Sequence, residues 1–163
     1  MIRLATEQDA EAVQAIYAPI VARTAISFEV DPPSVAEMRD RIRTTLERFP
    51  WLVYEHEGRV VGYVYAGPHR ARQAYQCKYS RGQGYCRAYA GITLPNAGSV
   101  GLHEAVGFRP VGVYRGVGFK LDTWHDVGWW ERELQPLRPS PPPPSPGFRG
   151  MIGGTLTEAR NDP

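Results

Sequence analysis

Residues 73–89 read Gln-Ala-Tyr-Gln-Cys-Lys-Tyr-Ser-Arg-Gly-Gln-Gly-Tyr-Cys-Arg-Ala-Tyr, QAYQCKYSRGQGYCRAY. A hairpin-like region precedes this stretch and an apolar, strand-like run follows it. Only a handful of polar and glycine residues join the two, so the stretch decides whether the flanking strands have a sheet neighbour between them. Upstream, WLVYEHEGRVVGYVYAG (51–67) places two apolar runs around His56-Glu57-Gly58, the pattern of a β-hairpin. Downstream, YCRAYAGIT (85–93) predicts a strand and LPNAG (94–98) a turn.

Working outward, MIRLA opens as a short strand, and Thr6 with Asp9 three residues later has the spacing of a capping box. Val13, Ile16, Tyr17 and Ile20 follow at helical spacing, and Pro19 is expected to bend or end that helix. Ser34 and Glu37 form a second box. Met38, Ile42 and Leu46 recur every four residues, which predicts a helix over roughly 35–48. Past the turn, a short helix is expected from Ser99 to Val106, closed by Gly107. VGVYRGVGFK (111–120) and WHDVGWWEREL (124–134) predict two more strands joined near Leu121-Asp122. The order implies an α+β fold with a mostly antiparallel central sheet flanked by helices. From Pro136, PLRPSPPPPSPGFRGMIGG cannot form a core, which divides the chain into a domain over 1–135 and a disordered proline-rich tail over 136–163.

With 163 residues, the chain is long enough for one domain with a core. Hydrophobic residues make up 42% and charged residues 22%, the balance of a globular protein, and a net charge of +2 argues against nucleic acid as a partner. No apolar run approaches the ~18 residues of a membrane span, and the opening lacks a signal-peptide core. Cys77 and Cys86 neither build a disulfide framework nor show zinc spacing. Together these features point to a cytoplasmic protein.

Arg70, Arg72 and Tyr75 cluster just past the hairpin. Two guanidiniums beside a phenol could hold a carboxylate or phosphinate through charge-assisted bonds. A solvated basic loop accounts for the same residues. His103-Glu104 falls on the short helix and His125-Asp126 on the last strand. Histidine is the usual general base near neutral pH, and a structural hydrogen-bonder is the plainer reading of a lone helix histidine. No third ligand at suitable spacing supports a metal site.

PWLVYEHEGRVVGYVYAGPHRARQAY (50–75), LPNAGSVGLHEAVGFRPVG (94–112) and the GVGFK…WHDVGWW pair (116–130) closely resemble the phosphinothricin N-acetyltransferases. These bialaphos/glufosinate-resistance enzymes belong to the GCN5-related (GNAT) acetyltransferase superfamily, and the similarity runs from Met1 to about Gln135, except at the junction. The resemblance implies a GNAT-like fold and acetyl transfer from acetyl-CoA to the amine of phosphinothricin, methionine sulfoximine or a similar amino acid. It also implies that Phe28, Arg70, Arg72 and Tyr75 line the amino-acid pocket and that Val127 borders the substrate. His103 matches the active-site histidine, and Asn96 the turn asparagine that contacts acetyl-CoA. A homodimer is a further expectation.

Against that family, the junction between Lys78 and Gln83, around 79–82, lacks a central strand carrying a catalytic glutamate. It also lacks a pyrophosphate loop and the helix that this loop opens. A strand, loop and helix of ordinary length amount to roughly thirty residues. SRGQG (80–84) runs straight into the following strand, leaving no helix to supply free N–H groups to an anion. Losing about three or four donors to a charged group is expected to cost roughly 5–10 kcal/mol, so acetyl-CoA binding is expected to be impaired. Two further readings are a non-catalytic remnant that binds amino-acid-like ligands and an interaction module working through the proline-rich tail.

Overall fold

The computed structural model describes residues 1–67, 85–137 and 139. The expectations for the junction and for nearly all of the proline-rich tail lie outside the described residues. The described elements are β1 (Ile2–Leu4), α1 (Ala10–Arg23), α2 (Val35–Leu46), β2 (Trp51–His56), β3 (Arg59–Tyr65), β4 (Arg87–Leu94), α3 (Ala97–Ala105), β5 (Arg109–Lys120) and β6 (Thr123–Glu133).

Both capping boxes form. The Asp9 carboxylate accepts from the Thr6 N–H at 2.7 Å and its hydroxyl at 3.0 Å, leading a 3-10 turn over Glu7–Asp9 into α1. Ser34 and Glu37 bond reciprocally at the start of α2: the Ser34 N–H reaches Glu37 Oε2 at 2.7 Å, and the Glu37 N–H reaches Ser34 Oγ at 3.2 Å. Pro19 does not end α1, which continues to Arg23. Pro19 and Ala15, whose carbonyl loses its partner, are both exposed, so that oxygen is on the solvated side. The hairpin turn is the two-residue Glu57-Gly58, with φ of 50° and 73°. Leu121-Asp122 turns the same way at 53° and 58°, the left-handed pair that matches strand twist.

The strands do not form one central sheet among the described residues. They form two antiparallel sheets of three strands each, in the orders β1-β2-β3 and β4-β6-β5. Val53 pairs with Arg3 and Tyr63 in the first, while Val127 pairs with Thr93 and Tyr114 in the second. No described ladder joins β3 to β4, the strands on either side of the junction. The main core lies where α1 and α2 cover the first sheet, with Val13, Met38, Ile42, Trp51 and Val53 buried. A smaller cluster of Phe49, Ala66 and Tyr85, with Leu134 against it, joins the two halves. No helix among the described residues is long and apolar enough to cross a membrane.

Arg3 ties three segments together. Its guanidinium donates to both Asp9 oxygens at 2.8 and 2.7 Å and to Glu55 at 2.9 Å. Asp9 is buried, and the Arg3 hydrogen bonds hold its carboxyl down at about 2, against an ordinary value of 3.8. A depressed carboxyl pKa stabilises the fold fully above the unfolded value, and that contribution is lost as pH falls through the folded one. Asp9→Asn should therefore lower unfolding stability by about 2 kcal/mol at pH 7. The difference from wild type should shrink between about pH 4 and pH 2, and urea titrations across that range would show it.

Candidate active site

The site is built around α3. Asn96 is the N-cap of this helix, its side-chain oxygen accepting from the Ser99 N–H at 3.0 Å. That bond starts the helix at Ala97 rather than at Ser99, the expected position, because capping recruits Ala97 and Gly98 into the first turn. With Oδ1 facing the helix, the Asn96 NH2 group turns away from it and has no acceptor among the described residues. Ser99 also orients His103: the His103 Nδ1 lies 2.7 Å from the Ser99 carbonyl oxygen. A carbonyl oxygen only accepts, so Nδ1 carries the proton and the neutral ring keeps its lone pair on Nε2. Phe108 packs edge-on against the imidazole at 5.2 Å between centroids. Glu104 accepts from the Trp130 indole N–H at 3.1 Å, pinning α3 to β6. One residue, Ser99, thus sets both the amide of Asn96 and the tautomer of His103.

Beside the cap lies an open cleft of about 640 Å³, lined by Leu94, Pro95, Asn96, Val100, Trp124 and Asp126 among others. Asp126 accepts from the Gly116 N–H at 2.7 Å and from Arg115 at 3.3 Å, fixing the bulge in β5 that flanks this end of the sheet.

Phe28 sits on the loop between α1 and α2, and its ring lies on Gly118 of β5, where an added Cβ would fall 2.2 Å from it. The His125 ring is 6.3 Å away between centroids and donates through Nε2 to the Lys120 carbonyl at 2.9 Å. Thr93, the β4 partner of Val127, donates to the Ile26 carbonyl of the same loop at 3.5 Å. The structure therefore brings Phe28 and Val127 into one neighbourhood through this loop. Asn96 lines the cleft, and no described contact links His103 to Phe28 or Val127. Arg70, Arg72 and Tyr75 lie outside the described residues.

Sequence reasoning missed the groups that hold the loop. Lys120 Nζ donates to the Val21 and Ser27 carbonyls at 2.6 and 2.7 Å. On the other side Tyr17 bonds Ser27 at 2.7 Å and Glu29 at 3.0 Å, while Arg41 grips Glu29 through both nitrogens at 2.8 and 3.0 Å. The Arg41 bonds lower the Glu29 pKa, and burial raises that of Tyr17. A small cavity of about 150 Å³ lies next to this network, with Tyr17, Arg41, Trp51, Tyr63 and Tyr65 in its walls. Only close spacing in the chain could have revealed these partners, and they are ten or more residues apart.

The fold is that of the GNAT acetyltransferases, and the Acetyltransferase (GNAT) domain family model matches residues 2–80. The chain is 36% identical to a phosphinothricin N-acetyltransferase of Streptomyces viridochromogenes, over 88% of this chain and 91% of that protein. It is 26% identical to an L-methionine sulfoximine/L-methionine sulfone acetyltransferase of Pseudomonas aeruginosa, over 86% and 98%. Among solved structures, a GNAT superfamily phosphinothricin acetyltransferase from Sinorhizobium meliloti in complex with AcCoA superposes with a TM-score of 0.75 at 29% identity, over 83% of this chain and 88% of that one. The chain belongs to the phosphinothricin N-acetyltransferase family. The Streptomyces alignment spans 169 positions, yet 88% of 163 residues is about 143, so about 26 positions face no residue of this chain. For the Pseudomonas relative, 168 positions hold about 140 residues of this chain, a deficit of about 28.

Asn96→Ala should cost about 1 kcal/mol of stability, and Asn96→Asp should retain the cap and the stability. Chemical denaturation of the two variants separates the cap from any role of the NH2 group.

Proposed function

We propose that the chain, in the cytoplasm, carries the acceptor site and general base of an acetyl-CoA-dependent N-acetyltransferase for a small anionic amino acid of the phosphinothricin or methionine sulfoximine type, and that its acetyl-CoA site is incomplete. The observation that carries this reading is His103, with Nδ1–H committed to Ser99 and Nε2 left as the acceptor. In the reaction, a neutral amine attacks the thioester carbonyl of acetyl-CoA. Nε2 takes the proton the amine releases, the new C–N bond forms, and the C–S bond breaks to release coenzyme A. Asn96 supplies amide donors to acetyl-CoA, Phe28 and Val127 border the acceptor, and Arg70 and Arg72, with Tyr75, take its anionic end.

The same reading places the positions missing from the alignments between Lys78 and Gln83, where the pyrophosphate loop and central strand would fall. Two findings support that placement. The family-model match stops at residue 80, and β3 and β4 share no described ladder. Affinity for acetyl-CoA is lowered accordingly, and the residues after Gln135 form a tail outside the catalytic domain. A second copy packs on the exposed Val111, Val113, Tyr114 and Phe119 of β5, giving a homodimer.

Calorimetry should show no acetyl-CoA binding to the chain at micromolar concentration and no acetylation of phosphinothricin. Grafting a family strand, loop and helix between Lys78 and Gln83 should restore both. Tight binding by the ungrafted chain would overturn the placement of the gap, and a folded graft without activity would overturn the acetyl-transfer reading. In an active graft, His103→Gln should lower kcat by roughly 10²–10⁴-fold, whereas in the ungrafted chain it should change little. Sedimentation should find a dimer, and a monomer at high concentration would rule that part out.

A further inference from the structure

We propose that Lys120 is a positioning residue for acceptor recognition, docking the loop between α1 and α2 so that Phe28 stands as a fixed wall beside Gly118 and His125. The acceptor half of this inference rests on the acetyl-transfer reading above.

The geometry of the ammonium carries the argument. Two of its three donors are spent on backbone carbonyls, at 2.6 Å to Val21 and 2.7 Å to Ser27. Val21 lies in the last turn of α1, where carbonyls have no partner within the helix, and a cation is favoured at that negative end. The neighbouring Ile20 carbonyl is already taken by the Thr24 N–H at 3.1 Å. Lys120 therefore closes α1 from a strand 99 positions away in the chain. Among the described residues no carboxylate pairs with it, so its charge is directed to these carbonyls.

The second bond matters more for function, because Ser27 immediately precedes Phe28. Lys120 fixes the Ser27 carbonyl, while Ser27 Oγ accepts from the Glu29 N–H at 3.2 Å, so the chain is restrained on both sides of Phe28. Arg41 and Tyr17 anchor Glu29 from the helices. The ring then has one place to go. Gly118, two residues before Lys120 on the same strand, offers a bare backbone against which Phe28 packs, and any larger residue would collide with it. The Lys120 carbonyl also accepts from His125, orienting the imidazole on the other side of the ring. A single residue thus organises three walls of this corner: its ammonium holds the loop, its strand presents the glycine, and its carbonyl sets the histidine. Arginine would not substitute, since a rigid planar fork cannot meet two carbonyls in the way a compact ammonium with rotatable donors does.

NMR of the full-length chain tests this without requiring turnover. In the unmodified protein, the Lys120 ammonium protons should give a signal protected from solvent exchange, and a freely exchanging ammonium would overturn the proposal whether or not any variant folds. In Lys120→Met, the ring-proton signals of His125 should move in the same direction as in Phe28→Leu, because both remove the Phe28 ring current, while the His103 signals stay in place. Unmoved His125 signals in a folded Lys120→Met protein would also overturn it. Methionine sulfoximine is the probe for the acceptor half, and its affinity measured by calorimetry should fall about tenfold or more in Lys120→Met. Unchanged affinity alongside moved His125 signals would overturn the acceptor role. Failure of the unmodified chain to bind the probe counts against the acetyl-transfer reading, and the ammonium and His125 signals then decide the docking alone.

Discussion

The ammonium of Lys120, resting on two carbonyls of the N-terminal half, is the contact on which the arrangement of this molecule depends. Within the described residues the two three-stranded sheets share no ladder. Strand pairing would ordinarily supply a row of backbone bonds across such a boundary, each contributing about 1 kcal/mol net. Among the described residues the halves meet instead through Lys120, the Phe28 ring on Gly118, the Thr93–Ile26 bond, and the Phe49, Ala66, Tyr85 and Leu134 cluster. Hydrogen bonds to a charged donor contribute roughly 1.5–3 kcal/mol. Two of them are comparable with a short ladder, but they act at one point rather than along a line. The relative position of the halves is therefore most tightly defined beside Phe28.

On the proposed acetyl-transfer reading, that location couples stability to chemistry. The cap and the histidine belong to the C-terminal half, on a helix pinned to β6 by Glu104 and Trp130. Phe28 belongs to the N-terminal half and reaches the second sheet through its loop. A productive site requires the reacting groups to be aligned to within about an ångström. Among the described residues, that alignment runs through the Ser27 carbonyl and the Gly118 backbone rather than through a continuous sheet. Ser99 performs the equivalent task locally, because its N–H and its carbonyl orient Asn96 and His103 in turn. One half of the site is organised by neighbours three and four residues apart, and the loop that carries Phe28 by partners ten to 99 residues apart.

This difference explains what could be read from the sequence. The Thr6–Asp9 and Ser34–Glu37 boxes, the Glu57-Gly58 turn and the periodicity of α2 are all short-range patterns, and each appears where it was expected. Two short-range boundaries moved. Pro19 does not end α1, because an exposed proline opposite a solvated carbonyl lets the helix run on to Arg23. The helix expected from Ser99 begins at Ala97, although the asparagine that caps it was in plain view. The anchors of Phe28 carry no such signal, since a lysine in an amphipathic strand and a glycine in a glycine-rich one look ordinary until the loop is laid across them. The resemblance pointed to Phe28, Asn96, His103 and Val127, but it did not say what holds them.

The far edge of the second sheet shows how the same chain limits unwanted pairing. β5 is long, lies at the edge of its sheet, and exposes Val111, Val113, Tyr114, Val117 and Phe119. A flat strand of this composition would template further strands. Pro110 removes a donor near its start, and its register against β6 breaks between Pro110 and Gly112 and again between Tyr114 and Gly118. The second break is held in place by Asp126, whose carboxylate binds the Gly116 N–H while Gly116 sits at a φ of +53°. Such bulges twist an edge away from the straight line that strand addition needs. A partner on this side would therefore meet apolar side chains rather than an open row of backbone groups. Asp126 lines the cleft as well, so the carboxylate that interrupts the edge also forms part of the wall beside Asn96.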